Sequence, residues 1–427
     1  MKNLSANREV FLFLYPMPKI SNKGKQMPAS PIRKLTPFAD KAKKLGRKVY
    51  HLNIGQPDIE TPEAMLNAIK NIDFKVWAYT QSEGNLSYRE KLVEYYNKAG
   101  YNISIEDIFV TTGASEAIVI ALQTCMDDGD EIIIPEPFYA NYNAFAWMSN
   151  VTIKPVLSTI ETGFALPAIS EFEKQITDKT KAIFICNPNN PTGYLYSYDE
   201  LEELKKLCLK YDLYLFADEA YREFCYDDNK FFSPMHLDGI DENVLIFDSV
   251  SKRYSACGAR LGCFITKNKK VIETALKFAQ ARLSPGMVSQ IAAEAAVDTP
   301  ASYFERVNKE YTERRNMLVE ALNKMEGVFC PNPGGAFYVV ARFPVDDSEK
   351  FCQWMLEEFS YDNQTVMMAP AAGFYSTPGA GKDEIRLAYV LNKKDLKNAM
   401  ICLEKALQEY PGRKLKAESL KQYLTFF

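Results

Sequence analysis

The sequence predicts an α/β fold: a large domain with a mostly parallel sheet flanked by helices, and a smaller α/β domain drawn from the N- and C-terminal segments. Three observations predict it. Four apolar runs of strand length, Glu131 to Ile134, Lys181 to Cys186, Leu213 to Ala217 and Val244 to Phe247, each lead into a polar segment at their C-terminal end. Helical patterns separate them, Glu200 to Tyr211 most clearly, and strands that alternate with helices pair in parallel. A long amphipathic stretch, Ser302 to Lys324 with Phe304, Val307, Tyr311, Leu318 and Leu322 in register, then leads to a second group of strands and helices.

Taken in order, residues 1–30 hold one short apolar run, Val10 to Tyr15, before Pro16, Pro18 and a polar stretch; the run is too short to span a membrane. Pro31 to Gly46 predicts a short helix and Val49 to Ile54 an extended piece ending in Gly55-Gln56-Pro57-Asp58. Gly55 there either lets a ligand approach the backbone or makes a plain turn. Thr61-Pro62-Glu63 reads as a helix opening, Thr61 the N-cap and Pro62 the first helical residue. Tyr79 to Asn85 is a polar loop before a helix carrying Leu86, Leu92, Val93 and Tyr96. Ile108 to Thr111 predicts a strand, and Thr112-Gly113-Ala114-Ser115-Glu116 opens an apolar helix that stops at Asp127-Asp128-Gly129. After the four apolar runs come a further strand, Leu261 to Ile265, and a helix, Val271 to Ala281. Beyond the long helix, Gly334-Gly335-Ala336-Phe337 precedes a strand, Ile385 to Val390 is another, and Asn392 caps a helix patterned on Leu396, Met400, Leu403 and Leu407. The expected division is an N-terminal extension over 1–30, a small domain from 31–60 and 303–411, a large domain over 61–302 and a C-terminal tail over 412–427.

Ligands on parallel sheets bind beyond the carboxyl ends of the strands, so the loops at Pro135, Asn187, Asp218 and Asp248 should converge on one site. The last of these is the most crowded. Ser249, Ser251, Lys252, Arg253, Ser255 and Arg260 gather three cations and three hydroxyls in a dozen residues around Gly258, a composition suited to an anion and to phosphate above all. The Gly113-Ala114-Ser115 helix opening offers unpaired N–H groups and the positive end of a dipole to the same kind of ligand, or is simply a Ser-capped helix.

Composition excludes several classes. Charges nearly balance, 51 basic against 55 acidic, with no basic run or RNA-binding aromatic pattern, so nucleic acid is not the expected partner. Nine cysteines, an odd number without a C-x-x-C pair, sit mostly in apolar segments and read as reduced buried thiols of a cytoplasmic protein. His51 and His236 are the only histidines, and neither has a motif around it, so histidine-based metal or Ser-His-Asp chemistry is not expected. The G-x-G-x-x-G fingerprint of nicotinamide dehydrogenases is missing as well.

With these segments assembled, the chain resembles the class I aminotransferases of the fold type I pyridoxal-phosphate enzymes from about Pro31 to Pro411. The resemblance rests on an ordered set: Gly113-Ala114-Ser115, Asn190-Pro191-Thr192-Gly193, Asp218-x-Ala220-Tyr221, Ser249-x-x-Lys252, Arg260 eight residues on, and Arg386 before Leu387-Ala388. It implies pyridoxal 5'-phosphate held covalently by Lys252, with Ser249, Arg260 and the Gly113 to Ser115 opening around its phosphate. By the same resemblance Tyr139 stacks on the ring, Asp218 pairs with the pyridine nitrogen, and Asn190 and Tyr221 hydrogen-bond the phenolic oxygen. Arg386 clamps the α-carboxylate of the substrate, Gly55 lies beside that substrate, and Tyr79 reaches the cofactor of a partner subunit in a homodimer with shared sites.

The resemblance implies an amino group moved from an L-amino acid, aspartate first, to a 2-oxo acid, 2-oxoglutarate first. Ser115 stands where some aspartate-preferring relatives carry a lysine. Arg282 takes up the second carboxylate in this reading, contributed by the partner chain; otherwise it is a helix-end charge facing its dipole. Other donors (alanine, aromatic), a lyase or decarboxylase on the same frame, and a non-catalytic ligand-sensing domain are the alternatives.

Overall fold

The computed structural model describes residues 18–414. The apolar run Val10 to Tyr15 and the tail beyond residue 414 lie outside the described residues. Twelve strands form among the rest: β1 Lys48–His51, β2 Ile108–Thr111, β3 Glu131–Glu136, β4 Thr152–Leu157, β5 Thr180–Cys186, β6 Tyr214–Asp218, β7 Val244–Ser249, β8 Gly262–Ile265, β9 Tyr338–Arg342, β10 Gln364–Met367, β11 Ala369–Pro370 and β12 Glu384–Ala388.

Seven of them make one sheet in the order β2-β8-β7-β6-β5-β3-β4. The pairs β3–β4, β3–β5, β5–β6 and β6–β7 are parallel, as the alternation of strands and helices predicts. β8 runs antiparallel to both β7 and β2. Burial on both faces explains why β7 begins with an unbroken apolar run from Val244 to Phe247: Leu245 and Phe247 enter one core cluster while Val244 and Ile246 enter the other. The edge strand β4, interrupted by Pro155, is half-exposed, and the sequence pattern does not predict it.

Helices close the two faces. Ala114–Cys125 lays Ala117, Ile118, Ile120, Ala121 and Leu122 into the core. Tyr198–Tyr211 begins with a capping box in which Ser197 and Glu200 satisfy each other's backbone N–H groups. The predicted long helix spans Ala301–Lys324, and Asn392 caps Lys393–Glu409 through the Asp395 N–H, 3.0 Å. One opening differs from expectation. The helix after Thr61 starts at Glu63 with Pro62 in the N-cap place, because the Thr61 hydroxyl is spent on the Ser255 carbonyl, 3.0 Å away.

A second assembly stands on the three-stranded antiparallel order β11-β12-β9, and β1 pairs in parallel with β10, joining residue 48 to residue 364. Arg386 lies on β12 opposite Val340 of β9. Among the described residues no helix is long and apolar enough to cross a membrane.

Candidate active site

Strand register places the chemistry at one sheet edge. Cys186 lies opposite Asp218 and Asp218 opposite Phe247, so the Asn187 loop, the Asp218 turn and the Ser249 loop leave the sheet at one level. On the far side of β7, Gly262 of β8 pairs with both Ser249 and Thr111, which brings the lysine loop against the Gly113 helix opening. The contact is close: a Cβ on Gly262 would stand 2.7 Å from the Ala114 nitrogen. These loops, with Gly55, Tyr139, Tyr338 and Arg386, enclose a cavity of about 620 Å³, within the roughly 300–1,000 Å³ of small-molecule sites.

Asp218 is a buried carboxyl, 6% exposed, on the cavity wall. Its Oδ2 accepts from the Tyr142 hydroxyl at 2.8 Å and its Oδ1 from the Ala220 N–H at 3.1 Å. Burial pushes it up to about 6, against the opposing pull of those two donors. A carboxyl in this state becomes a firm anion once a cationic N–H faces it. Lys252 enters the same cavity from the short helix Val250–Arg253, which Ser249 caps through the Ser251 N–H, 3.1 Å. Its Nζ donates to the Gly55 carbonyl at 2.7 Å and lies 3.6 Å from the Cys257 sulfur, so the amine projects into the cavity with no carboxylate partner among the described residues.

Gly55 has its role fixed by crowding, since a Cβ there would overlap the Tyr338 hydroxyl. Tyr338 and Tyr221 share a hydrogen bond of 2.9 Å, and Asn190 donates to Tyr221 at 3.4 Å. The Asn190 oxygen accepts from Arg386 at 3.2 Å. Arg386 is 1% exposed, its guanidinium stacked 4.7 Å from the Tyr338 ring centre and 4.8 Å from that of Phe374. It also donates to the Asn53 carbonyl, while its Nε has no partner. Burial works against its charge, and no carboxylate of the described residues offsets that, which leaves the guanidinium suited to an anion from outside. A fork-shaped, buried guanidinium matches a carboxylate.

The opposite corner suits a phosphate. The helix Ala114–Cys125 opens at Gly113, φ +79°, with no side chain capping its first turn. The positive φ favours glycine at this position, and a Cβ at Gly113 would sit 2.6 Å from an Arg260 guanidinium nitrogen and push that side chain aside. Arg260 donates to the Ser251 hydroxyl at 3.3 Å, and Ser251 in turn takes the Ser249 hydroxyl at 2.7 Å. Helix N–H groups, two hydroxyls and a guanidinium converge where Ala114 and Ser115 line the cavity. Tyr139 completes the wall, its hydroxyl accepting from Asn141 at 2.8 Å.

Two predicted residues lie elsewhere. Tyr79 is 80% exposed beside Val76 and Trp77, away from the cavity of its own chain. Arg282 does not line that cavity either: it pairs with Glu116 at 3.0 Å and donates to the Val110 carbonyl at 3.2 Å. Glu116 accepts the Thr112 N–H at 2.6 Å, so Arg282 braces the Gly113 helix opening from behind. Sequence reasoning missed Tyr142, whose signal was its position three residues after Tyr139 at the start of the helix Asn141–Met148. It also missed Tyr338 and Arg33, both on the cavity wall, for which spacing gave no signal.

Known proteins resemble this chain over most of its length. Residues 47–401 match the family described as aminotransferase class I and II. An aspartate aminotransferase of Pyrococcus horikoshii is 32% identical over 88% of this chain and 94% of its own. The aromatic-amino-acid aminotransferase 2 of Thermococcus litoralis is 31% identical over 84% and 92%. An alanine aminotransferase from Pyrococcus furiosus superposes with a TM-score of 0.84 at 30% identity, covering 92% of this chain and all of that one. With the fold, the loop positions and these likenesses together, the chain belongs to the class I and II aminotransferases, a pyridoxal-phosphate-dependent family.

Proposed function

We propose that this aminotransferase takes its amino group from a dicarboxylic L-amino acid, aspartate first, and delivers it to 2-oxoglutarate, with Lys252, Asp218 and Arg386 as its working side chains. The residues present fit the cofactor. The Gly113–Arg260–Ser249 corner is shaped for its phosphate, the buried Asp218 carboxyl for its ring N–H, and the amine of Lys252, which no carboxylate of the described residues engages, for its carbonyl carbon. Asn190 and Tyr221, on the cavity wall, would supply hydrogen bonds for the phenolic oxygen, and Tyr139, on the same wall, would cover the ring.

Pyridoxal phosphate, when bound, supplies the carbon that accepts the amino group and a conjugated ring that spreads the electrons left as Cα loses its proton. Asp218, kept in place by Tyr142 and Ala220, holds a proton on the ring nitrogen. Arg386 forks onto the substrate α-carboxylate and so decides which Cα bond is presented for cleavage. Lys252 Nζ, set free when the substrate amine displaces it from the cofactor's carbonyl carbon, would take the Cα proton and carry it across, and the Gly55 carbonyl is placed to hold that freed amine over the cavity. Histidine has no part, since neither His51 nor His236 lines the cavity.

The observation that carries the dicarboxylate reading is charge. Among the described residues the cavity wall holds four cations, Arg33, Lys252, Arg260 and Arg386, and a single carboxyl, Asp218. With Arg260 set for the phosphate and Arg386 for the α-carboxylate, Arg33 is the arginine of this wall left without an assigned anion, and a second carboxylate would engage it. The test is to mix the loaded enzyme with single amino acids and follow conversion of the bound cofactor to its amine form. Fast conversion by aspartate and glutamate supports the reading, and faster conversion by alanine or phenylalanine sinks it.

A homodimer belongs to the same reading. Val76, Trp77 and Tyr79 are 74%, 69% and 80% exposed on one loop, a patch whose burial against a second copy accounts for three large apolar side chains in water. Sedimentation of a monomer at assay concentration would remove this part of the proposal.

A further inference from the structure

We infer that the side-chain carboxylate of a dicarboxylic substrate is read by Arg33 of the same chain, at the mouth of the cavity, and not by Arg282. The inference rests on the dicarboxylate reading above and names the residue responsible for it. Arg33 lies just before the helix Thr36–Lys44, in a turn closed by the Arg33 and Lys34 N–H groups on the Ser30 carbonyl, both at 3.2 Å. Packing fixes that turn: Pro31 sits so close over Gly373 that a Cβ on the glycine would meet the proline ring. Lys34 is drawn outward to Glu349, which leaves Arg33 on the cavity side.

A short chain of bonds ties this turn to the α-carboxylate site. The Ile32 carbonyl accepts from the Asn53 side chain at 3.3 Å, and the Asn53 carbonyl accepts from Arg386. Arg33 and Arg386 are thus set relative to one another through a single asparagine. Both guanidiniums act on the same buried hydroxyl, that of Tyr139, favouring its ionised form against the burial that pushes it up to about 12. Between them they flank the place where a substrate carrying a carboxylate at each end would lie.

Charge matching separates Arg33 from Arg282. No ion pair or hydrogen bond to a side chain engages the Arg33 guanidinium among the described residues, and the side chain is exposed, whereas Arg282 is already matched by Glu116 at 3.0 Å. Recruiting Arg282 would leave the Glu116 carboxylate, half-buried at the helix opening, without its cation. Recruiting Arg33 breaks nothing. Arg260 and Arg386, the other arginines of the wall, are committed to the phosphate corner and the α-carboxylate.

The test is calorimetric titration of the pyridoxal-phosphate-loaded enzyme with succinate, which has two carboxylates and no amino group to transfer, and with butyrate, which has one. For Arg33→Met the succinate dissociation constant should rise about 10- to 100-fold, the range of a charge-assisted hydrogen bond, with butyrate unchanged within about 2-fold. Arg33→Lys should recover part of the loss, and kcat/KM for aspartate should fall in step while that for alanine holds. Wild-type enzyme that prefers succinate, with the preference intact in Arg33→Met but lost in Arg282→Leu, overturns the assignment to Arg33 and leaves the dicarboxylate reading standing. Wild-type enzyme that binds succinate no better than butyrate overturns both.

Discussion

Replacing Asp218 with asparagine should change how the cofactor-free protein responds to pH. In the folded chain burial lifts this carboxyl from an ordinary 3.8 to about 6. The folded state therefore keeps a proton over a window in which the unfolded chain has already released it. A raised carboxyl of this kind contributes stability below about pH 4, and that contribution drains away as pH rises through about 6. The gap of about two units corresponds to ~3 kcal/mol at the upper end of the window. The amide introduced by Asp218→Asn cannot ionise, yet it can still accept from Tyr142, so the variant should match the wild type near pH 4 and exceed it by roughly 1–3 kcal/mol at pH 8. Urea midpoints of both cofactor-free proteins between pH 4 and 8 measure the difference. Glu219, also buried and pushed up to about 7, pulls in the same direction in both proteins and cancels. Added pyridoxal phosphate should stabilise the wild type at pH 8 more than the variant, because only a carboxylate pairs with a ring N–H cation. Parallel pH profiles for the two proteins would refute the claim that Asp218 is held as a strained, near-neutral acid awaiting that cation.

Arg386→Leu should lower kcat/KM for every amino donor by about 30-fold or more, the ~2–5 kcal/mol of a buried charge pair losing one member; a loss confined to dicarboxylic donors would place Arg386 at the wrong carboxylate. Gly55→Ala should destabilise the protein by roughly 1–3 kcal/mol through overpacking on Tyr338 and also displace the carbonyl that holds Lys252, so activity should fall further than stability accounts for. Tyr142→Phe should raise the Asp218 pKa further, shifting the pH midpoint of the cofactor-free stability profile upward, since the hydroxyl is, among the described residues, one of two hydrogen-bond donors that favour the carboxylate. An unmoved midpoint would show that the hydroxyl does not act on the carboxyl.

The central sheet was legible because its strands carry their signal locally. A doubly buried strand such as β7 is apolar from Val244 to Phe247, and the polar residues at or just beyond the carboxyl ends of β3, β5, β6 and β7 mark those ends. Caps such as Ser197 and Asn392 are legible for the same reason, since their partners are three residues away. What the residues alone could not show is pairing between distant segments. The β1–β10 pair joins residues more than three hundred apart, and the small-residue helix Met287–Val297, rich in alanine, carries no strong periodicity. Within the site, side chains recognisable by motif met as their loops did, whereas Tyr142, Tyr338 and Arg33 are brought in by packing. Arg282 shows the converse: a cation in a suggestive place is spoken for by Glu116, a partner 166 positions away.

The central claim is that Lys252 holds the cofactor, and it is tested most directly by covalent trapping. Purified protein is loaded with pyridoxal phosphate, reduced with borohydride and digested, and the modified peptide is located by mass spectrometry. The account predicts one labelled residue, Lys252, in the peptide that follows β7, and no site-specific label in Lys252→Ala. A label on any other lysine of the wild-type chain, or one undiminished in the variant, would contradict it.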